Sequence, residues 1–233
     1  MVQGICLMKY DNISPALFLR RPNRFIAHIL HEGEEKISHV KNTGRCRELL
    51  IPGANVLVQR AAKPERKTEF DLISVYKGER LINMDSAAPN VVFGEFLGAG
   101  GLGAVPEIIR PECTHADSRF DFYFEMGGKA AFAEVKGVTL EDDNIARFPD
   151  APTERGLKHL RGLITCAEEG FDAYAVFVVQ MKGIKYFEPN WETHRDFGLT
   201  LRQAEKAGVK ILVYDCLAEK DSLKIDAPIP YIL

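Results

Sequence analysis

Along the first third of the chain, apolar and polar residues alternate in short runs; beyond it the spacing lengthens towards the period of helices. RFIAHIL, KISHV, NVLVQRA, TEFDLISVYK and RLINM are strand-length runs rich in β-branched and aromatic residues. The breaks between them, HEGEE, NTG, PGA and KPER, carry the Gly, Pro and Asn of turns. Five strands in so short a segment suit a small barrel, and the oligonucleotide-binding (OB) type is the commonest of this size with a basic surface. MDSAAPN (84–90) reads as a junction. It divides the chain into an OB-like, nucleic-acid-binding barrel over 1–85 and a second domain over 86–233.

In that second domain PNVVFGEFLGAG predicts a short helix opened by Pro89 and ended by glycines. A hairpin follows, FDFYFEMGGKAAFAEVKGVTL (120–140). Thr153 then caps a helix with Leu157, Leu160, Ile164 and Ala167 on one face and Gly170 as its stop. AYAVFVVQ is continuously apolar, as a central strand buried on both faces would be. A helix over 193–207 stops at Gly208 before the strand VKILVY. The fold class is therefore α+β / α/β: an OB-like barrel followed by a mixed-sheet α/β sandwich.

The hairpin holds the candidate chemistry. With Gly127-Gly128 as a type I′ turn, Met126 pairs with Lys129 and Asp121 falls opposite Glu134, their Cβ atoms about 5 Å apart. Lys136 shares that face, while Phe122, Phe124, Ala131, Ala133 and Val135 form an apolar reverse face. Two carboxylates at such range repel by roughly 1 kcal/mol in water and about 4 kcal/mol near a protein surface. Either Lys136 alone offsets this in a surface ion-pair cluster, or a hard divalent cation does, Mg²⁺ or Mn²⁺. In the second case the lysine can orient or help deprotonate a water attacking a phosphodiester.

Charge adds a direction to the first domain. The net charge of -3 hides a balance of +4 up to Asn90 and -7 beyond it. The segment 41–67 holds seven basic and two acidic residues, a stripe that attracts polyanions or simply forms a solvated face. Lys41, Asn42, Arg45, Arg47, Arg60, Lys63, Arg66 and Lys67 are its candidate nucleic-acid contacts. The loop 39–49 has an alternative role, packing on the second domain to line a catalytic cleft. Phe18, Phe25, Phe70 and Tyr76 fall mostly at core-like strand positions, so phosphate contact is expected over base stacking. The five cysteines are scattered, with no CxxC pair, as in reduced cytoplasmic thiols. No apolar run reaches the roughly 18 residues of a membrane span, and the first residues do not read as a signal peptide.

Asp121 with Glu134-Val135-Lys136 resembles the core of the PD-(D/E)XK nuclease superfamily. HVKNTGRCREL, SRFDF, EVKGVTL, FPDAPTERGLKHL and VFVVQ together resemble the sugar fermentation stimulation protein A family over nearly the whole chain. The resemblance implies an OB barrel joined to a PD-(D/E)XK domain and an association with DNA. It makes Asp121 and Glu134 metal ligands, Lys136 the catalytic lysine, and Glu95 a further acidic residue from the preceding helix. Phe120 stands where the superfamily pattern has Pro. Arg155 and His159, one helical turn apart, with Lys158 beside them, are candidates to grip a phosphate. Gln180 either reaches the same rim or caps its strand. His159 lacks a second His or Cys at zinc spacing. The expected function is a cytoplasmic, DNA-binding, Mg²⁺-dependent nuclease; the alternative is a non-catalytic DNA-binding regulator of sugar metabolism that uses the nuclease-like fold as a platform. The oligomeric state stays open, a homodimer included.

Overall fold

Six strands make the N-terminal sheet: β1 (Ile13–Asn23), β2 (Ile26–His31), β3 (Glu34–Val40), β4 (Asn55–Arg60), β5 (Phe70–Lys77) and β6 (Arg80–Asn83). These come from a computed structural model that describes residues 8–42, 44–61 and 66–233. The strand order is β3-β2-β1-β4-β5-β6. A parallel pairing of β3 with β5, Ser38 opposite Phe70 and Val40 opposite Leu72, closes five strands into a barrel and leaves β6 outside on a hairpin. The expected number of barrel strands holds, but the membership differs: RLINM lies outside the closure, and β1 takes its place.

The two prolines of ISPALFLRRPN hide β1 from a reading by pattern. Pro15 pairs with Leu57 of β4, in a stretch that β2 does not reach, because the β1–β2 pairing begins at Leu17. Pro22 falls inside the irregular stretch between Arg20 and Asn23. Neither position needs the missing N–H on both sides.

The second unit contains α1 (Ala88–Gly98), β7 (Ile108–His115), β8 (Ser118–Met126), β9 (Lys129–Val138), β10 (Glu141–Asp142), β11 (Ile145–Phe148), α2 (Glu154–Glu168), β12 (Asp172–Val179), β13 (Tyr186–Pro189), α3 (Arg195–Lys206), β14 (Lys210–Ala218) and β15 (Leu223–Pro228). Its main sheet runs β15-β14-β12-β9-β8-β7, with β9, β12 and β14 parallel and the flanking strands antiparallel. On one face Val92, Phe93 and Leu97 of α1 cover Phe122, Phe124, Ala133 and Val135. On the other, Leu157, Leu160 and Phe197 from α2 and α3 cover Phe120, Phe132 and Phe177. The result is the α/β sandwich expected, with more strands: β7, β15 and the small sheet β10-β11-β13 are additions. Pro111 sits on β7, an edge strand, where a missing donor costs little.

Thr153 does cap α2, accepting from the Gly156 N–H at 2.9 Å, and α3 begins two residues later than its sequence pattern indicates. The core under α2 and α3 is continuous with that of the barrel, in a cluster that also takes in Cys46, Leu49 and Leu50 from the connecting loop. A Cβ on Gly44 of that loop would stand 2.2 Å from Asp150 Oδ2, so only glycine allows the loop to approach the second unit this closely. Cys46 and Cys166 are free thiols pushed up by burial to about 12 and about 11. Cys6 lies outside the described residues. Among the described residues no helix is long and apolar enough to cross a membrane.

Candidate functional site

Gly127 and Gly128 both take positive φ, 60° and 76°, as a type I′ turn requires. The β8–β9 ladder then runs from Met126 opposite Lys129 to Phe122 opposite Ala133. There it stops, one step before Asp121 and Glu134. Beyond that point the Val135 N–H is satisfied by Asp121 Oδ2, at 2.7 Å, rather than by a strand carbonyl. The Asp121 side chain thus stands in for the ladder at the place where the strands part. Its other oxygen accepts from Asn90 Nδ2 of α1 at 2.9 Å.

Glu134 is 4 % exposed. Its Oε1 accepts from Lys136 Nζ and from His159 of α2. Arg155 Nε donates to His159 Nε2 at 3.4 Å, so the ring proton sits on Nδ1 and points at Glu134. Glu134 Oε2 is buried with no partner. Burial works to raise the Glu134 carboxyl, but the His159 hydrogen bond and the Lys136 charge outweigh it and hold the group below its ordinary value. Asp121 goes the other way: burial, then the Glu134 charge, push it up, against the Val135 N–H and Lys136.

A buried carboxylate oxygen without a donor beside a second carboxylate of raised pKa is an arrangement short of positive charge. Mg²⁺ and Mn²⁺ accept one or two carboxylates and complete their shells with waters. Asp121 and Glu134 fit such an ion, with Oε2 the natural ligand atom. Among the described residues no group of three or more His, Cys, Asp or Glu is placed to hold a metal, so the donor set is of this sparse kind.

The signs of these shifts give opposite pH dependences. Asp121 holds its proton more tightly folded than unfolded, so its contribution to stability declines as pH rises from about 3.9 through the raised value. Glu134 contributes above its unfolded value, and that contribution is lost as pH falls through the lowered one. Asp121→Asn removes the first cost and retains an acceptor for Val135. Without divalent ions its melting temperature at pH 7 is expected to exceed wild type by about 2–4 °C, the shift for roughly 1 kcal/mol in a chain of this size. The gain should shrink towards pH 4; a lower melting temperature at pH 7 would show that Asp121 carries no such cost.

Other candidates are placed differently from expectation. Glu95 makes no hydrogen bond to Asp121 or Glu134: its carboxylate accepts from the Met8 backbone and its Oε2 is buried without a partner, whereas Asn90 is the α1 residue that bonds Asp121. The two differ by five positions, so they project from different sides of the helix. Burial raises the Glu95 carboxyl. His159 does not present itself to a phosphate either; it is buried and orients Glu134, while Arg155 and Lys158 remain exposed beside it. Gln180 is 1 % exposed, and its amide donates to Asn83 Oδ1 and Asp85 O, joining the two units. No Cβ fits at Gly137, directly after Lys136, because Gln180 Oε1 would lie 2.5 Å away.

Of the basic stripe, Lys41 pairs with buried Asp85, Arg60 with Glu69, and Arg66 with Asp71 through two bonds of 2.7 and 2.9 Å. Asn42 Oδ1 accepts from the Gly44 N–H at 2.8 Å. The Arg45 N–H donates to Asp150 Oδ2 at 2.9 Å, so the loop does pack on the second unit. Arg45, Arg47 and Lys67 are exposed, and Lys63 lies outside the described residues. Asn42, Gly44, Ser86, Gly137 and Gln180 share a cleft of about 180 Å³. Sequence reasoning missed Asn90, which no charge or motif marks, and the arginines of RRPNR (20–24), which a basic run did signal.

Two family models match the chain: the SfsA N-terminal OB domain over residues 19–84 and the sugar fermentation stimulation protein RE domain over 87–222. A sugar fermentation stimulation protein homolog from Clostridium beijerinckii is 54 % identical over 97 % of this chain and 100 % of its own length. Another, from Desulfitobacterium hafniense, is 57 % identical over 93 % of this chain and 95 % of its own. The solved structure of Pyrococcus furiosus SfsA in complex with Ca²⁺ superposes with a TM-score of 0.89 at 25 % identity, covering 97 % of this chain and 99 % of that one.

Proposed function

For a chain that belongs to the sugar fermentation stimulation protein (SfsA) family, we propose that the second domain is a divalent-metal-dependent nuclease acting on DNA in the cytoplasm. The observation that carries this reading is the buried, partnerless Glu134 Oε2 beside Asp121, with Lys136 on the neighbouring oxygen. The Ca²⁺ bound by the Pyrococcus furiosus relative supports a hard cation on this fold, since Ca²⁺ and Mg²⁺ both take oxygen ligands. When bound, the cation supplies charge that stabilises a phosphate in transition and lowers the pKa of a water.

The chain's own residues do the rest. Asp121 and Glu134 would hold the ion, and Asn90 and the Val135 N–H fix Asp121. His159 fixes Glu134 from behind, so that Oε2 keeps one direction. Lys136, ion-paired with Glu134, donates to a non-bridging phosphate oxygen or to the attacking water as negative charge builds. Water adds to phosphorus and gives up one proton to solvent, one P–O ester bond breaks, and the departing oxygen takes a proton from solvent. Arg155 and Lys158, exposed near the start of α2, supply phosphate contacts at the rim.

The test uses end-labelled single- and double-stranded DNA with Mg²⁺, Mn²⁺ or EDTA. Wild type is expected to give products with either metal and none in EDTA. Binding without cleavage in every condition would overturn the enzyme and leave a non-catalytic DNA-binding regulator.

A further inference from the structure

The tip of the β1–β2 hairpin, Asn23-Arg24-Phe25, carries an aromatic ring that its strand-like neighbourhood hides: Phe25 is 51 % exposed, not a core residue. The tip is a built feature. Asn23 Oδ1 accepts from the N–H groups of Phe25 and Ile26 at 2.9 and 3.0 Å, which fixes the turn. Arg21 donates to the carbonyl oxygens of Arg24, Asn42, Gly44 and Arg45 at 2.7 to 3.0 Å, which clamps the tip to the loop before the second unit.

This clamp brings Arg24, Arg45 and Arg47 along one groove of about 730 Å³, whose lining also includes Ala151 and Pro152, just ahead of α2. All three are exposed, and none has a carboxylate partner among the described residues. Arg20, by contrast, is committed to Glu35. Three guanidinium groups free of ion pairs along one groove favour an anionic occupant. Gly44 lines both this groove and the cleft that holds Gly137, the residue after Lys136 in the chain.

We propose that this tip is the docking platform for a single-stranded stretch of nucleic acid, with an unpaired base stacked on Phe25 and successive phosphates on Arg24, Arg45 and Arg47. The inference rests on the proposed nucleic-acid substrate and adds its strandedness. Phe25 adjoins Arg24 at the tip, at the end of the groove rather than in its lining, so its exposed ring and that guanidinium match a base next to its phosphate, and a base offers its face only when it is unpaired. The loop between the first two strands is one that OB barrels use for oligonucleotides.

The experiment is fluorescence anisotropy with a labelled oligonucleotide, single-stranded or annealed to its complement, on the full chain in EDTA so that no cleavage intervenes. Phe25→Ala is expected to weaken single-strand binding roughly five- to hundredfold, the range set by one lost base stack, and to change duplex binding little. Phe25→Trp should restore it. Arg45→Ala should lower the salt slope of single-strand binding by about 0.7, whereas Phe25→Ala should leave that slope unchanged. Equal losses for both strandedness states, an unaffected Phe25→Ala, or no binding by wild type would each overturn the proposal. Platform-dependent binding without metal-dependent cleavage would uphold it and reject the nuclease; cleavage untouched by Phe25→Ala would do the reverse.

Discussion

Lys136→Ala is expected to slow DNA cleavage by about 100- to 10,000-fold, the usual weight of a positioned proton donor or charge stabiliser. Its ammonium bonds Glu134 Oε1, not the partnerless Oε2, so removing it leaves the proposed metal-ligand atom in place. Mn²⁺ affinity should therefore stay within a few-fold of wild type. Single-turnover cleavage and Mn²⁺ binding measured on the same preparation check both halves. If Lys136→Ala cuts at the wild-type rate, the lysine belongs to an ion-pair cluster and nothing more.

Lys41→Ala should cost stability and spare nucleic-acid binding. Lys41 belongs to the basic stripe, yet its ammonium is paired with Asp85, which is 1 % exposed. Asp85 Oδ1 also accepts from the Ala87 N–H at 3.0 Å, at the entry to α1. Burial and the neighbouring Asp85 charge hold the Tyr10 phenol protonated far above its ordinary value. Asn83 and Gln180 complete this polar junction between the units. Stranding a buried carboxylate costs about 3–5 kcal/mol, and the remaining donors and the partial exposure of Lys41 reduce that here to roughly 2–3 kcal/mol. Thermal unfolding should drop by about 5–10 °C, and Asp85→Asn added to Lys41→Ala should recover part of it. An unchanged melting temperature with a reduced salt slope would place Lys41 on phosphate instead.

The hairpin was legible because two independent signals agree on its register. Gly127-Gly128 fixes the turn, and the alternation of Phe122, Phe124, Ala131 and Ala133 fixes the faces. What the pattern could not show is that the ladder stops at Phe122 and that the Asp121 side chain takes over, since strand separation is a tertiary event. In α2 the sequence pattern marks the helix but sets its buried stripe slightly off. Gly156, His159, Leu163 and Cys166 are buried along with Leu157 and Leu160, while Ile164 and Ala167 are only partly so. A histidine and a glycine on that face weaken its apolar signal. The basic stripe illustrates the same limit. Sequence counts charges, but only coordinates reveal that Lys41, Arg60 and Arg66 already have partners while Arg45 and Arg47 are exposed.

The central claim, that Asp121 and Glu134 together hold one divalent ion, is tested most directly by calorimetric titration of Mn²⁺ into wild type and Glu134→Gln near neutral pH. Wild type should take up one ion per chain. Glu134→Gln should bind at least about tenfold more weakly, at the lower bound for a disturbed ligand set. Equal Mn²⁺ uptake by the two proteins, or none by wild type, would contradict the account.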